Sequence, residues 1–404
     1  MSRGSVKSYG RNGSQTDLRP SLLQVEVLEP SSTGPGWERR GTTIEEILDD
    51  GRDRPTFVFA SSNSLKGVDL SVLELRRRLE NYYGMPNHIW SNTQWESNGF
   101  FGCAGDERVR HKTWFRFLVK VVRLASEHSK STKPTALVHT PDSYDYVWHQ
   151  MGFFSTWSPK GQRSILCLDC PPDIINHIHN SLVHTSGETF EVDPYCFHPH
   201  IVGGVVITFD TSIWLLRDLI RHTEKNRPTI SMKAEFDYLL DLHELSRHVV
   251  HYTEILTVAT EIMSKMVNRH GGFVSRMNSS PEQEQESMMQ VDDNLDYYQG
   301  LLFGFKCRCE SMVQRHQSEI SLAQSHAVAV DAAAMKAIAG LTIVFLPATF
   351  VSAIFSMSFF DNGEQWGLSP KIWIYWVIAI PVTLITVVLL RRGPRGSIMR
   401  FLTF

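Results

Sequence analysis

Residues 331–361 read DAAAMKAIAGLTIVFLPATFVSAIFSMSFFD, and the stretch from Ile338 to Phe360 within them carries no charged side chain. As an α-helix this stretch spans about 34 Å, which exceeds the thickness of a bilayer's hydrocarbon core, about 30 Å. The sequence therefore predicts a transmembrane helix near the C-terminal end of the chain.

A second uncharged stretch, from Ile372 to Leu390, follows closely and is also long enough to cross a bilayer. Aromatic residues of the kind found at membrane–water interfaces surround its start, namely Trp366, Trp373, Tyr375 and Trp376. We therefore expect a two-helix transmembrane domain over residues 336–392. The alternative, two core helices of a soluble protein, requires a partner large enough to cover both.

The charges that flank these helices predict their orientation. Lys336 precedes the first helix and four arginines follow the second, whereas the short connection carries Asp361, Glu364 and the single cation Lys371. Under the positive-inside rule the connection faces outward, and both termini, including a basic tail over 393–404, face the cytosol. The first twenty residues are polar and show no secretory signal.

Hydroxyl side chains recur on the first membrane helix. Thr342, Thr349 and Ser356 are spaced by seven residues, with Ser352 between the last two, so they share one helical face. Two helices cannot enclose a water-filled path, so conduction would require a ring of several copies with this face toward the axis. Spacing alone leaves an alternative open, because small residues also permit tight helix packing.

Long helices are expected before the membrane domain. No proline occurs between Pro281 and Pro347, and a 3.5-residue period of apolar or small residues predicts a stalk helix that continues into the first span. A second helical pattern covers 234–269, and the Gly- and Ser-containing segment 271–282 predicts the break between the two. We therefore expect an antiparallel helical hairpin and stalk over 233–335. An ordinary amphipathic helix of a monomeric bundle remains the alternative.

The N-terminal half mixes strand and helix patterns. Residues 1–45 are rich in Ser, Gly, Pro and Arg and are predicted to be disordered, whereas 46–232 are predicted to form an α/β domain. Predicted strands cover 56–61, 114–122, 135–140, 163–170 and 203–210, and predicted helices cover 72–84 and 211–225.

Composition and motifs narrow the function classes. The 404 residues carry a net charge of −3, so the chain as a whole gives no sign of nucleic-acid binding. No nucleophile elbow, phosphate-binding loop or zincin helix occurs, so we do not expect an enzyme, and no cofactor is predicted. The six cysteines are interpreted as thiols, and the pair in CLDC, residues 167–170, lacks a second pair to complete a zinc site.

With its FLP sequence at Phe345–Pro347, the quoted stretch resembles the membrane domain of the CorA metal-ion transporter superfamily, most closely the fungal CorA-like branch. Segments 209–221 and 241–256 are similar to that branch as well. The resemblance implies a homopentamer with an α/β/α cytosolic domain, a long stalk and a pore lined by the first span. Carried over by position, the implied lining is Met335, Ile338, Thr342, Leu346, Thr349, Ala353 and Ser356. Met335, Ile338 and Leu346 would form an apolar gate.

The chain departs from the family at the outer mouth, where the family's Gly-Met-Asn triplet reads Ser356-Met357-Ser358. Ser358 offers one hydroxyl where the family has an amide carbonyl. Asp361 and Glu364 would concentrate cations beside this mouth. The resemblance implies transport of Mg²⁺ or a related divalent cation, which could also regulate the gate, across a membrane we expect to be the plasma membrane. The alternative is a non-conducting membrane scaffold or signalling protein that keeps the fold.

Overall fold

A computed structural model gives the three-dimensional structure of the protein. It describes residues 23–32, 34, 36–49, 54–86, 88–106, 109–124, 144–159, 161–183, 185, 189–225, 227, 232–277, 281–356 and 372–392. The chain forms two compact units, the first from 1–227 and 243–316, the second from 228–242 and 317–404.

A seven-stranded mixed sheet forms the centre of the first unit. Its strands are β1 (Gln24–Pro30), β2 (Trp37–Thr43), β3 (Pro55–Ala60), β4 (Gly99–Asp106), β5 (Arg110–Leu124), β6 (Tyr144–Trp157) and β7 (Arg163–Leu168). The spatial order is β2-β1-β3-β7-β6-β5-β4. Only β3 and β7 pair in parallel among these strands, while every other neighbouring pair is antiparallel.

The described residues form nine α-helices between Ile44 and Arg392. They are α1 (Ile44–Asp49), α2 (Leu70–Tyr83), α3 (Asn92–Trp95), α4 (Pro172–Leu182), α5 (Thr189–Val192), α6 (His198–Lys225), α7 (Met232–Arg276), α8 (Glu282–Phe355) and α9 (Ile372–Arg392). A short 3₁₀ helix covers Ser62–Leu65.

Side chains of the central strands alternate between the two faces of the sheet, and both faces are buried. Phe57 of β3 and Cys167 of β7 belong to a core shared with α4, α6, α7 and α8. Their neighbours Val58 and Leu166 belong to a separate core with α1 and α2. Because successive strand residues point to opposite faces, this arrangement is a three-layer α/β/α domain.

The two long helices expected from the sequence are present. In the first unit the periodic positions of α8 are buried, including Leu295 and Leu302 at 0% exposure, and α7 contributes Tyr252 and Met263 to the same core. The predicted break is shorter than 271–282, because α7 continues through Gly271 and Gly272 to Arg276 and α8 begins at Glu282.

Two predictions about the N-terminal half are wrong. Residues 203–210 were expected to form a strand but lie inside α6, because a short buried run of Gly and β-branched residues has no periodicity that separates strand from helix. Disorder over 1–45 is wrong for β1 and β2, whereas residues 1–22 lie outside the described residues. The predicted strand at 135–140 also lies outside them, and β4 and β6 were not predicted.

Strands near 56–61, 114–122 and 163–170 are confirmed as β3, β5 and β7, and the helix predicted at 72–84 is α2. The helix predicted at 211–225 is the second half of α6.

Candidate functional site

In the second unit, the distal part of α8 buries one side beside α9. Pro347 is buried, Val351 is 5% exposed, and Ala379 of α9 is 3% exposed. Tyr375 of α9 donates its hydroxyl to the carbonyl oxygen of Ala348 over 3.3 Å and meets the ring of Phe355 edge to face at 6.4 Å. Small buried residues permit this close approach of two apolar helices.

All seven side chains of the expected lining are exposed on the single chain. Met335, Ile338 and Leu346 are 69%, 60% and 63% exposed, although they are large and apolar. At about 100° per residue, the seven positions fall on the side of α8 roughly opposite Pro347 and Val351. This face of α8 is therefore free to meet lipid, water or another copy of the chain.

Two threonines on this face have their hydroxyl hydrogens engaged by the helix backbone. Thr342 Oγ1 donates to the carbonyl of Ile338 over 2.9 Å, and Thr349 Oγ1 is within 3.0 Å of the carbonyls of Phe345 and Leu346. A hydroxyl that donates to its own helix presents only its lone pairs outward. Each threonine is thus an acceptor on an exposed apolar helix, the polarity that a cation requires.

Threonines of α9 make the same bonds but have a different environment. Thr383 donates to the carbonyl of Ala379 and Thr386 to that of Val382, each over 2.8 Å. Both side chains are half-buried. The threonines of α8 therefore differ from those of α9 in their exposure and not in their residue type or backbone bonds.

The outer mouth is described only as far as Ser356. Its N–H donates to the carbonyl of Ser352 over 3.0 Å, with Ala353 as a second acceptor at 3.2 Å, in the turn that ends α8. Met357, Ser358, Asp361 and Glu364 lie outside the described residues, so their roles stay predictions.

Two histidines downstream of CLDC, His198 and His200, form hydrogen bonds with hydroxyl groups. His198 Nε2 pairs with the Thr113 hydroxyl at 2.9 Å, and His200 Nδ1 pairs with Ser181 Oγ at 2.8 Å. Burial lowers the pKa of His198 to about 3 and that of His200 to about 4. Within the described ranges no group of three or more His, Cys, Asp or Glu side chains is arranged to hold a metal ion.

Sequence reasoning missed an Asp–His–Asp cluster centred on the buried His270 in the first unit. His270 of α7 pairs through Nε2 with Asp193 Oδ2 at 2.8 Å and through Nδ1 with Asp292 Oδ1 of α8 at 2.7 Å. Burial disfavours charge on His270, but the two carboxylates outweigh it and raise its pKa. The cluster links α7, α8 and the segment before α6, and no spacing in the sequence reveals it.

A second buried pair joins the sheet to α7. Lys120 of β5 donates from Nζ to His248 Nδ1 over 2.6 Å and lies 4.2 Å from the ring centre of Tyr146. Burial, with a smaller effect of Arg247, lowers the pKa of Lys120 to about 8, and burial lowers that of His248 to about 4. A neutral imidazole can accept this bond, so the buried Lys120 ammonium has a hydrogen-bond partner.

By length and composition, α8 is long and apolar enough to cross a membrane. The chain belongs to the CorA-like Mg²⁺ transporter family, whose sequence model matches residues 171–392, more than half of the chain. The resemblance carried by the FLP stretch is thereby confirmed. Family members are transporters rather than enzymes, and membership supports a membrane protein.

One curated relative is the Notoamide biosynthesis cluster protein M' of Aspergillus versicolor, 27% identical over 265 residues. The match covers 60% of this chain and 58% of that protein, so it spans little more than half of the relative.

The chain is similar to several solved structures, including the following two. The complete CorA magnesium transporter from Methanocaldococcus jannaschii has a TM-score of 0.47 and 12% identity, covering 91% of this chain and 98% of the transporter. The full-length CmaX protein has a TM-score of 0.49 and 14% identity, covering 94% of this chain and 99% of CmaX.

Proposed function

We propose that the protein is a divalent cation channel, for Mg²⁺ or a related ion, formed by five copies of the chain. Conduction follows the face of α8 that carries the seven residues named above. The observation that carries this proposal is that all seven are exposed on the side of α8 opposite its contact with α9. An exposed face that combines apolar residues with hydroxyl acceptors suits a symmetric pore better than it suits lipid.

The threonines would act on the ion's hydration shell. Mg²⁺ releases its water reluctantly, so a pore conducts it most easily when the ion keeps several waters. Those waters donate hydrogen bonds, and Thr342 and Thr349 present acceptors because their own hydrogens are bonded to the helix. Five copies would place two rings of acceptors along the path.

Large apolar side chains would supply the gate. Met335, Ile338 and Leu346 are exposed on the same face, so a ring of copies would place them around the axis. A narrow apolar ring expels water and blocks a hydrated ion without any steric plug. A small change in helix separation then opens or closes the path.

The outer mouth would concentrate and select ions. Asp361 and Glu364 in five copies would contribute about ten negative charges, which raises the local cation concentration. Ser358 replaces the family's asparagine and would leave a wider ring with weaker acceptors. We place this mouth outside the cell and both termini in the cytosol, with the protein in the plasma membrane.

Reconstitution in liposomes that contain a Mg²⁺-sensitive dye tests the proposal. When Mg²⁺ is added outside and the interior potential is negative, we expect the dye inside the liposomes to respond. We expect Ser358→Asn to increase the preference for Mg²⁺ over other divalent ions. An assembly that stays oligomeric in lipid and passes no divalent ion would contradict the channel and favour a scaffold.

A further inference from the structure

The CLDC sequence places two thiols at the junction between β7 and α4. Side chains of an extended strand alternate between faces, so positions 167 and 170 would normally point to opposite faces of the sheet. Asp169 breaks this alternation with a φ of 56°, in the left-handed region that few residues other than glycine adopt. The chain turns there, which brings the side chain of Cys170 close enough to Cys167 to influence its thiol.

The two thiols differ in access to solvent. Cys167 is 0% exposed within the core, whereas Cys170 is partly exposed and packs against that core. Cys170 also lines an open cleft of about 550 Å³ at the carboxyl ends of β3 and β7. Asn63 and Lys66 line the same cleft, so a small polar molecule can reach Cys170 but not Cys167.

The other closely spaced cysteines provide a contrast. Cys307 and Cys309 are two residues apart on α8, where about 200° of helical rotation separates them. Cys307 is exposed and Cys309 is buried. Proximity in the sequence therefore does not bring these thiols together, whereas the turn at Asp169 does so for Cys167 and Cys170.

We propose that Cys167 and Cys170 form a reversible disulfide by exchange with a small disulfide of the glutathione class. The Cys170 thiolate attacks one sulfur of oxidised glutathione, the S–S bond breaks, and one glutathione leaves as a thiolate. Cys167 then loses its proton and attacks Cys170 Sγ, and the second glutathione leaves. The protein loses two electrons, one glutathione disulfide becomes two thiols, and the two protein thiol protons balance the two leaving thiolates.

The order of these steps follows from the accessibility of Cys170 in the cleft and the burial of Cys167 in the core. Lys66 lines the cleft together with the carboxylates of Glu26 and Asp169, so charges of both signs surround the approach to Cys170. Burial raises the pKa of the Cys167 thiol, so ring closure by Cys167 is the slower step. While Cys167 stays protonated, its closure rate should rise about tenfold for each unit of pH. A closed disulfide would fasten the end of β7 to the start of α4.

The test uses the full-length protein in detergent, equilibrated in buffers of reduced and oxidised glutathione and then alkylated. Mass spectrometry reads the peptide that contains 167–170 and, as internal comparison, the peptide with Cys307 and Cys309. We expect the first peptide to lose two hydrogens and escape alkylation, reversibly with dithiothreitol, while the second stays alkylated. Cys167→Ser should retain one glutathione on Cys170, and Cys170→Ser should prevent both products.

Two results would overturn the proposal. One is a wild-type 167–170 peptide that stays alkylated, or keeps glutathione without closing, at every buffer ratio. The other is closure of Cys307 with Cys309 to the same extent. The wild-type measurement is decisive even if Cys167→Ser fails to fold, because it needs no variant.

Discussion

The conformation of a single residue, Asp169, fixes the loop between β7 and α4. Its N–H donates to the carbonyl of Ala60 over 3.0 Å, and its Oδ1 accepts the N–H of Ser62 over 2.8 Å. Ser62 is 1% exposed in the folded chain, where Asp169 is the acceptor for its N–H. The loop thus depends on a residue that tolerates positive φ and carries a side-chain oxygen.

We predict that Asp169→Ala lowers the free energy of unfolding by about 1–3 kcal/mol, because the Ser62 N–H loses its partner and alanine resists the left-handed conformation. Asp169→Asn is the matched control, since it keeps an oxygen acceptor and tolerates positive φ. Chemical denaturation of the purified variants measures the difference. Equal losses for the two variants would contradict this account of the loop.

Protonation of His270 should stabilise the first unit at low pH. Its pKa is raised in the folded state, since Asp193 and Asp292 outweigh the effect of burial. Its contribution is therefore fully present below about pH 6.5, the ordinary value, and is lost as pH rises through the folded pKa. We predict that the Tm difference between wild type and His270→Gln is largest at pH 6 and decreases toward pH 9.

His248→Gln provides the control for this pH dependence. Burial lowers the pKa of His248 to about 4, so its contribution can only grow as pH rises between about 4 and 6.5. A Tm difference for His270→Gln that stays constant or grows above pH 6.5 would show that His270 is not held protonated by its carboxylates.

These buried polar pairs could not be predicted from the sequence. Asp193 and His270 lie far apart in the chain, and so do Lys120 and His248, and neither pair belongs to a periodic pattern. Their partners are determined by how the strands and helices pack. The hydroxyl face of α8, in contrast, was predictable because Thr342, Thr349 and Ser356 belong to one helix whose period is known.

At the level of elements, α8 and α9 are predicted to respond differently to the same substitution. We expect Thr342→Val with Thr349→Val to reduce Mg²⁺ flux in liposomes by about tenfold, which corresponds to ~1.4 kcal/mol for the lost acceptors. Valine keeps the shape of threonine, and the lost hydroxyl bonds are local to the helix. Packing of the helices should therefore be unchanged.

The matched control is Thr383→Val with Thr386→Val on α9, where the hydroxyls make the same backbone bonds on half-buried positions. Flux through this variant should stay within about twofold of wild type. A comparable loss in both double variants would mean that the effect reflects helix stability rather than the path of the ion.

Elements with long periodic patterns were predicted well, and short apolar runs were not. The 3.5-residue period of α8 correctly identified buried positions such as Leu295 and Leu302. Residues 203–210 were misassigned because α6 is buried on most sides, so its apolar residues do not alternate with polar ones. An ideal Cβ on Gly203 would lie 2.8 Å from His177 Nε2, which explains a glycine in this helix.

For the whole molecule, the family could be inferred from the sequence but the order of the strands could not. The FLP stretch identified the CorA-like family, which the match over 171–392 confirms. The sheet order depends on pairings between distant segments, such as β3 with β7, which a single sequence does not encode locally. The domain boundaries at 232, 335 and 392 and the pentamer stay predictions.

Aqueous access to the exposed face of α8 tests the central claim most directly. Thr349→Cys and, as control, Thr386→Cys would each be reconstituted in liposomes and treated with a charged, membrane-impermeant thiol reagent, with labelling read by mass spectrometry of the span. If copies of α8 surround a water-filled path, the thiol introduced by Thr349→Cys is modified and its modification reduces Mg²⁺ flux, whereas the thiol introduced by Thr386→Cys is not modified. Equal protection of the two introduced thiols would place this face of α8 in lipid or in a dry interface and contradict the account.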